Sequence, residues 1–186
     1  NSVTPVSDAD LVARAQAGDR EAFATLYDRY LPGVFRYCYR LLGSQETAED
    51  ANTEVFMRAL AALPAYRAGS FRSWLFAIAH NVATDAVRHR RQVVSLNAIP
   101  ELADPATFED AAADAADWLR VERLLPHLTE DQRHVVALRL SGLSAVEIGE
   151  AMGKPRNAID GLHHRALLRL RSLMAMSDAT ATKGGG

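Results

Sequence analysis

Ser144-Ala145-Val146-Glu147-Ile148-Gly149-Glu150-Ala151-Met152-Gly153-Lys154-Pro155-Arg156-Asn157 carries a full set of helix start and stop signals. Ser144 with Glu147 is a capping box, in which hydroxyl and carboxylate each satisfy an orphan amide. Gly153-Lys154-Pro155 is a turn, because glycine ends a helix and proline opens the next. Beyond it Ile159, Leu162, Leu167, Leu170 and Leu173 give a long final helix. A short helix, a tight turn and a longer helix are the layout of a helix-turn-helix, whose second helix can present its first residues to a major groove. Lys154 in the turn, then Arg156, Asn157, Asp160, His164 and Arg165, with Arg169 and Arg171 further along, are the polar groups available there. An ordinary helical hairpin with solvated arginines is the competing reading.

Working upstream, Thr129-Glu130-Asp131-Gln132 is another capping box, for a helix reaching about Leu140 and stopped by Gly142. Trp118, Val121, Leu124 and Leu125 begin this helical unit. Before it, residues 96–117 hold Glu101, Asp104, Glu109, Asp110, Asp114 and Asp117 with no base, and read as an acidic linker. The first 95 residues are helical again. Ser7 caps a first helix stopped by Gly18. Phe23, Leu26, Tyr30, Val34, Cys38 and Leu41 carry a second helix, which Pro32-Gly33 should kink and Gly43 ends. Ser44 caps a third, with Ala48, Ala51, Val55, Ala59, Leu60 and Leu63 on its buried side and Pro64 at its close. Ser70 caps a fourth, striped by Phe71, Trp74, Leu75, Ile78, Ala79, Val82 and Ala86. The fold class is all-α: two small helical domains, 7–95 and 118–175, joined by the acidic linker 96–117, with a disordered tail over 176–186.

Composition narrows the function. The chain has 186 residues, a net charge of −2, 48% hydrophobic residues and 7% aromatics, enough apolar material for a core. The total conceals a charge of +1 over 1–95, −6 over 96–117 and +3 over 118–186. Basic residues are nearly all arginine, the better side chain for bidentate phosphate contact, though arginine richness also follows genome composition. The single cysteine, Cys38, excludes an internal disulfide and a cysteine-rich zinc cluster, and its apolar stripe marks it as a buried structural thiol. The six histidines show no metal-ligand spacing and no phosphate-binding glycine loop is present, so no cofactor, metal site or catalytic constellation is expected. No run approaches the ~20 apolar residues of a membrane span, and the start does not read as a signal peptide; a soluble, cytoplasmic protein without membrane insertion is expected.

Two further surfaces stand out. Glu46, Glu49, Asp50, Thr53, Glu54 and Met57 share a stripe of the third helix opposite its apolar face. From spacing alone this is a solvated face, with Glu54 and Arg58 an i,i+4 pair. The fourth helix has a polar face of His80, Asn81, Thr84, Arg88 and Arg91, preceded by a loop holding Tyr66, Arg67 and Ser70. Arginines that track phosphates, beside aromatic and amide groups that stack on or bond an unpaired base, suit single-stranded DNA. Phe71 and Trp74 read as core.

In this order the pieces resemble the extracytoplasmic-function (ECF) sigma factors, the promoter-specificity subunits of bacterial RNA polymerase. The resemblance covers about Asp8 to Leu173. It rests on Ala22-Phe23-Ala24-Thr25-Leu26-Tyr27, Arg40-Leu41-Leu42-Gly43, and Ala48-Glu49-Asp50-Ala51-Asn52-Thr53-Glu54-Val55-Phe56-Met57-Arg58-Ala59. It continues in Phe71-Arg72-Ser73-Trp74-Leu75-Phe76-Ala77-Ile78-Ala79-His80-Asn81, Leu125-Pro126-His127-Leu128, Gly142-Leu143-Ser144-Ala145-Val146-Glu147-Ile148-Gly149 and His164-Arg165-Ala166. It implies that the first domain is sigma region 2 and the second is sigma region 4. Glu46, Glu49, Asp50, Thr53, Glu54 and Met57 would then dock on the clamp helices of the polymerase's largest subunit, and region 4 would lie at its flap. Tyr66, Arg67, Ser70, Arg72, His80, Asn81, Thr84, Arg88 and Arg91 would engage the minus-ten element, with one base flipped from the stack. Lys154, Arg156, Asn157, Asp160, His164 and Arg165 would read the minus-thirty-five element. The linker would thread the polymerase interior towards the RNA exit path, and an anti-sigma factor would be a partner. The chain would work in the bacterial cytoplasm, at the nucleoid.

The recognition helix departs from the pattern. Asp160 stands where relatives carry a base, and its carboxylate repels phosphate and accepts only from donors such as cytosine N4. Gly161 weakens the helix by ~1 kcal/mol relative to alanine. An unusual or weak minus-thirty-five preference is expected. Thr53 is a weaker candidate for phosphorylation within the docking stripe. A sigma-like decoy and a stand-alone helix-turn-helix regulator are the rival readings; the latter has no use for an acidic docking helix beside a base-capture loop.

Overall fold

The computed structural model describes residues 6–67, 69–94 and 121–183. The acidic stretch 96–117, Trp118 and residues 184–186 lie outside them. Among the described residues every regular element is helical: α1 (Asp8–Gln16), α2 (Arg20–Leu42), α3 (Gln45–Ala62), α4 (Phe71–Val94), α5 (Glu130–Leu140), α6 (Ala145–Met152) and α7 (Arg156–Lys183), with 3-10 turns at Leu63–Ala65 and Leu125–His127. None of these helices is long and apolar enough to cross a membrane.

The caps fall where the side chains can make them. Ser7 accepts from the Asp10 amide, Asp19 from Glu21 and Ala22, and Ser44 from Thr47. Thr129 with Gln132 and Ser144 with Glu147 form both halves of their capping boxes. Such a cap contributes about 1 kcal/mol by satisfying amides that have no partner inside the helix. Pro32 lies inside α2, which continues through it as one helix to the left-handed Gly43. α7 likewise runs to Lys183, past residue 176 where a disordered tail was expected. Between residue 176 and Gly184 no glycine or proline interrupts it, and the alanines there favour the helix.

α1 to α4 form one bundle. α2 buries Leu26, Tyr30, Val34, Tyr37, Cys38 and Leu41, and α3 meets it through the small residues Ala48, Ala51 and Ala59 with Val55 between them. Burying each large apolar side chain contributes about 1.5–3 kcal/mol. Leu60, expected on the buried side of α3, is instead 54% exposed. It follows Met57 by three residues, and so lies on the outward stripe rather than with Ala59.

α5 is wrapped on every side: His134, Val135, Val136, Ala137 and Leu138 are consecutive and all buried. Val136 faces a small cluster with Leu125, Leu128, Ala166 and Leu170. Val135, Ala137 and Leu138 join Leu143, Ile148, Met152 and Ile159 in the same continuous core as Leu75, Phe76 and Ala79 of α4. The two helical units, expected only to share a tether, therefore pack directly on one another. The sequence marked these stripes as buried without marking what buries them.

Candidate nucleic-acid interface

The loop between α3 and α4 is built by hydrogen bonds to its own backbone. Tyr66 Oη donates to the Gly69 carbonyl at 2.7 Å, and Arg67 Nη1 to the Pro64 carbonyl at 2.9 Å. Gln16 of α1 ties it down, with Nε2 donating to the carbonyls of Leu63 (2.9 Å) and Tyr66 (2.7 Å). Both amide hydrogens are thereby committed, which leaves Gln16 Oε1 as the acceptor it can offer a ligand. Ser70 caps α4 by accepting from the Ser73 amide at 3.2 Å.

An open cleft of roughly 510 Å³ lies between this loop and α1, with Asp8, Val12, Gln16, Tyr66, Ser70 and Phe71 among its walls. Its aromatic wall is rigid: Tyr66 packs on Phe71 and Trp74 with ring centroids 6.1 and 5.1 Å away. Desolvation, with the nearby Asp8 carboxylate, pushes the Tyr66 phenol up, so the ring stays a neutral hydrogen-bonding surface. A cleft with an apolar wall, an amide acceptor and a carboxylate at its rim has the size and chemistry to take one unpaired base. Gln16 and Asp8 were missed by sequence reasoning. A polar residue in the last turn of α1 was the only signal, since the loop that folds back on it lies 47 or more residues away.

The rest of the set around α4 is divided. Asn81, Arg67 and Arg88 are exposed, with Arg88 Nη1 lying 3.8 Å from Asp85. Thr84, expected on the polar face, turns inward: its Oγ1 is buried and has no hydrogen-bond partner. Four others are engaged by the second helical unit. Ser70 Oγ donates to Glu147 Oε1 at 3.4 Å, Arg72 Nη1 to the Gly142 carbonyl at 3.1 Å, and Arg91 Nη1 to Glu130 Oε2 at 2.9 Å. His80 Nδ1 lies 3.1 Å from His134 Nδ1, so it is half-buried in the seam and not on an open face.

On α3 the expected stripe is intact. Glu46, Glu49, Asp50, Thr53 and Met57 are exposed, and Glu54 is half-exposed. Thr53 Oγ1 donates to the Glu49 carbonyl at 2.9 Å and Arg58 Nε to Glu54 Oε1 at 2.6 Å. Met57, 64% exposed, and Leu60 add an apolar edge to the carboxylates. Leu60 belongs to this stripe and was assigned to the core from sequence.

The helix-turn-helix is set by one close approach. A Cβ on Gly149 would lie 2.7 Å from the Lys154 carbonyl, so only glycine lets the turn fold back onto α6. The Lys154 amide then donates to the Gly149 carbonyl at 2.9 Å, and Pro155 opens α7. Arg156, Asn157, Asp160, His164 and Arg165 are all exposed along the first turns of α7. Lys154, half-buried, pairs with Asp131 at 3.1 Å and sits behind that row. Arg156 Nε and Asp160 lie 3.6 Å apart, so part of the positive charge offered to a phosphate is already balanced. Burial, then Arg139, lowers the His163 pKa.

A helical bundle with a base-sized cleft, joined to a helix-turn-helix, is the layout expected of a DNA-binding protein of two helical units. Comparison with known proteins places it further. Residues 26–93 match the family model of sigma-70 region 2 and residues 118–170 that of sigma-70 region 4. The chain is 35% identical to the ECF RNA polymerase sigma factor BldN of Streptomyces coelicolor, over 91% of this chain and 69% of the relative. It is 36% identical to the ECF sigma factor ShbA of Streptomyces griseus, over 88% and 93%. Among solved structures it resembles the sigma factor RpoE of Bartonella quintana in complex with the anti-sigma factor NepR (TM-score 0.71, 25% identity, 82% and 96% covered). The fold also matches CnrH in complex with the cytosolic domain of CnrY (TM-score 0.72, 24% identity, 91% and 97% covered). This chain belongs to the ECF RNA polymerase sigma factors. It is an alternative sigma factor that directs transcription initiation.

Proposed function

We propose that the chain binds core RNA polymerase through the α3 stripe and reads its promoters through the cleft and the recognition helix. The carboxylates of Glu46, Glu49, Asp50 and Glu54, edged by Met57 and Leu60, meet the clamp helices of the largest subunit, while α5 to α7 lie at the flap. The observation that carries this reading is the cleft between α1 and the Tyr66–Ser70 loop. It is a preorganised seat for one base, beside the arginines and Asn81 that would hold the adjoining strand of the minus-ten element. Flipping that base costs a few kcal/mol, which stacking on the half-exposed Tyr66 ring and the Gln16 Oε1 contact help offset. Arg156, Asn157, Asp160, His164 and Arg165 read the minus-thirty-five duplex, with Asp160 selecting for a donor such as cytosine N4. The factor acts by binding rather than catalysis, in the cytoplasm at the nucleoid, and an anti-sigma factor restrains it; its structural relative RpoE is found in complex with the anti-sigma factor NepR.

Run-off transcription with core polymerase and a randomised promoter library tests this. Start sites that appear only when the chain is added, and that share elements at minus ten and minus thirty-five, are the expected result. No chain-dependent transcripts would refute it.

A further inference from the structure

Several of the polar groups that would hold single-stranded DNA at the start and along the length of α4 are held instead by the second helical unit, while Asn81 and Arg88 stay exposed. Ser70, Arg72 and Arg91 are bound to Glu147, the Gly142 carbonyl and Glu130. Between these ties the two units share one apolar core, with Leu75, Phe76 and Ala79 of α4 in the same cluster as Leu143, Ile148 and Met152. At the centre lie three polar side chains from three helices. Tyr37 Oη is 2.8 Å from His134 Nδ1 and 3.4 Å from His80 Nδ1, and the two imidazole nitrogens are 3.1 Å apart.

We propose that this seam is an autoinhibitory latch: α5 and α6 withhold Ser70, Arg72, His80 and Arg91, part of the strand-reading set of α4, in the free protein, and the Tyr37–His80–His134 triad holds the latch only while it is uncharged. The proposal rests on the reading of α4 given above. Recognition helix α7 keeps its exposed polar row free in the latched form, so duplex binding is left open while Ser70, Arg72, His80 and Arg91 are withheld from a single strand.

The physics of the triad is desolvation. Burial, reinforced by His80 and Arg133 and opposed by Asp131, drives the His134 pKa down to about 3 from 6.5. Burial lowers His80 too, with Asp131 and Glu130 of α5 pulling upward and Lys154 at the α6–α7 turn pushing downward. From α2, Tyr37 faces both rings as a phenol raised well above 10.0 by burial. A histidine with a depressed pKa stabilises the closed form fully above its open-state pKa and loses that stabilisation as pH falls towards the closed-state value. Between pH 7.5 and 5.5, His134 alone shifts the equilibrium towards open by about tenfold.

The test is a distance across the seam in the full chain. Spin labels at Ala24→Cys and Ser172→Cys, both exposed positions, report domain separation, and native Cys38 is buried and spared. The latch predicts a short distance at pH 7.5 and a long-distance population that grows about tenfold at pH 5.5. His134→Phe, which keeps an aromatic ring but takes no proton, should remove most of that growth, and His80→Phe repeats the test from the other side. At pH 5.5 a single strand carrying the minus-ten element recovered from the promoter library should bind the unsubstituted chain more tightly than His134→Phe, with the two equal at pH 7.5. Unchanged distances, or growth undiminished in both variants, would overturn the latch. Separation without tighter binding would overturn its inhibitory role. Binding by neither form would overturn the reading of α4 and that role together, a result the label distances tell apart from a seam that stays shut.

Discussion

Two glycines of the helix-turn-helix should answer the same substitution in opposite ways. At Gly149 an added methyl meets the Lys154 carbonyl at 2.7 Å, well inside van der Waals contact. That carbonyl belongs to the turn, and the Arg156 amide lies only 3.8 Å from the same point. The methyl is therefore accommodated only by displacing the first turn of α7. Overpacking of this kind costs about 1–3 kcal/mol, while alanine returns up to ~1 kcal/mol of helix propensity, so Gly149→Ala should destabilise by about 1–2 kcal/mol. At Gly161 the methyl meets the Arg165 guanidinium at 3.2 Å, the far end of a flexible side chain that can swing into solvent. Gly161→Ala should stabilise by up to ~1 kcal/mol. Urea unfolding followed by circular dichroism measures both, and a minus-thirty-five duplex titration should show weaker binding for Gly149→Ala alone. Equal stability changes in the two variants, or a stabilised Gly149→Ala, would refute the argument that backbone contact fixes this turn.

Reversing charge with Glu49→Lys and Asp50→Lys should weaken binding to core polymerase by tenfold or more (~1.4 kcal/mol or above) with the helix content intact, read by fluorescence anisotropy. Met57→Glu with Leu60→Glu should also weaken that binding without loss of stability, because both side chains already face solvent. Asp160→Lys removes the partner of Arg156 and adds a positive charge, so duplex affinity should rise, its salt dependence steepen by about one phosphate contact, and the selected minus-thirty-five sequence change. Burial pushes the Cys38 thiol up to about 12, so it should stay inert to thiol reagents at pH 8 and react fully once the chain is unfolded.

Local chemistry made the helix ends readable. Ser144 with Glu147 and Thr129 with Gln132 act over three residues, so their capping geometry follows from neighbours in the chain. The α3 stripe was legible for the same reason, since helical periodicity alone gathers Glu46, Glu49, Asp50 and Thr53. Leu60 was misplaced because an apolar side chain at the stripe's edge is indistinguishable from core by type. Contacts between distant segments left weaker marks. Gln16 supports the Tyr66 loop, and His80 meets His134, across separations of 50 and 54 residues that no periodicity encodes. One signal of the seam was present. Val135-Val136-Ala137-Leu138 is apolar in four consecutive positions, and a helix apolar all round has to be covered on more than one side. Thr84 shows the converse, a polar residue turned inward by its place on α4.

The shared core has a thermodynamic consequence. With both units locked through Val135, Leu138 and Ile148, neither can melt without exposing apolar surface belonging to the other. The resting molecule should therefore unfold as a single cooperative unit, in one calorimetric transition. A copy pulled apart breaks into two smaller, softer ones, each an easier target for proteolysis, so the form that is idle is also the form that lasts.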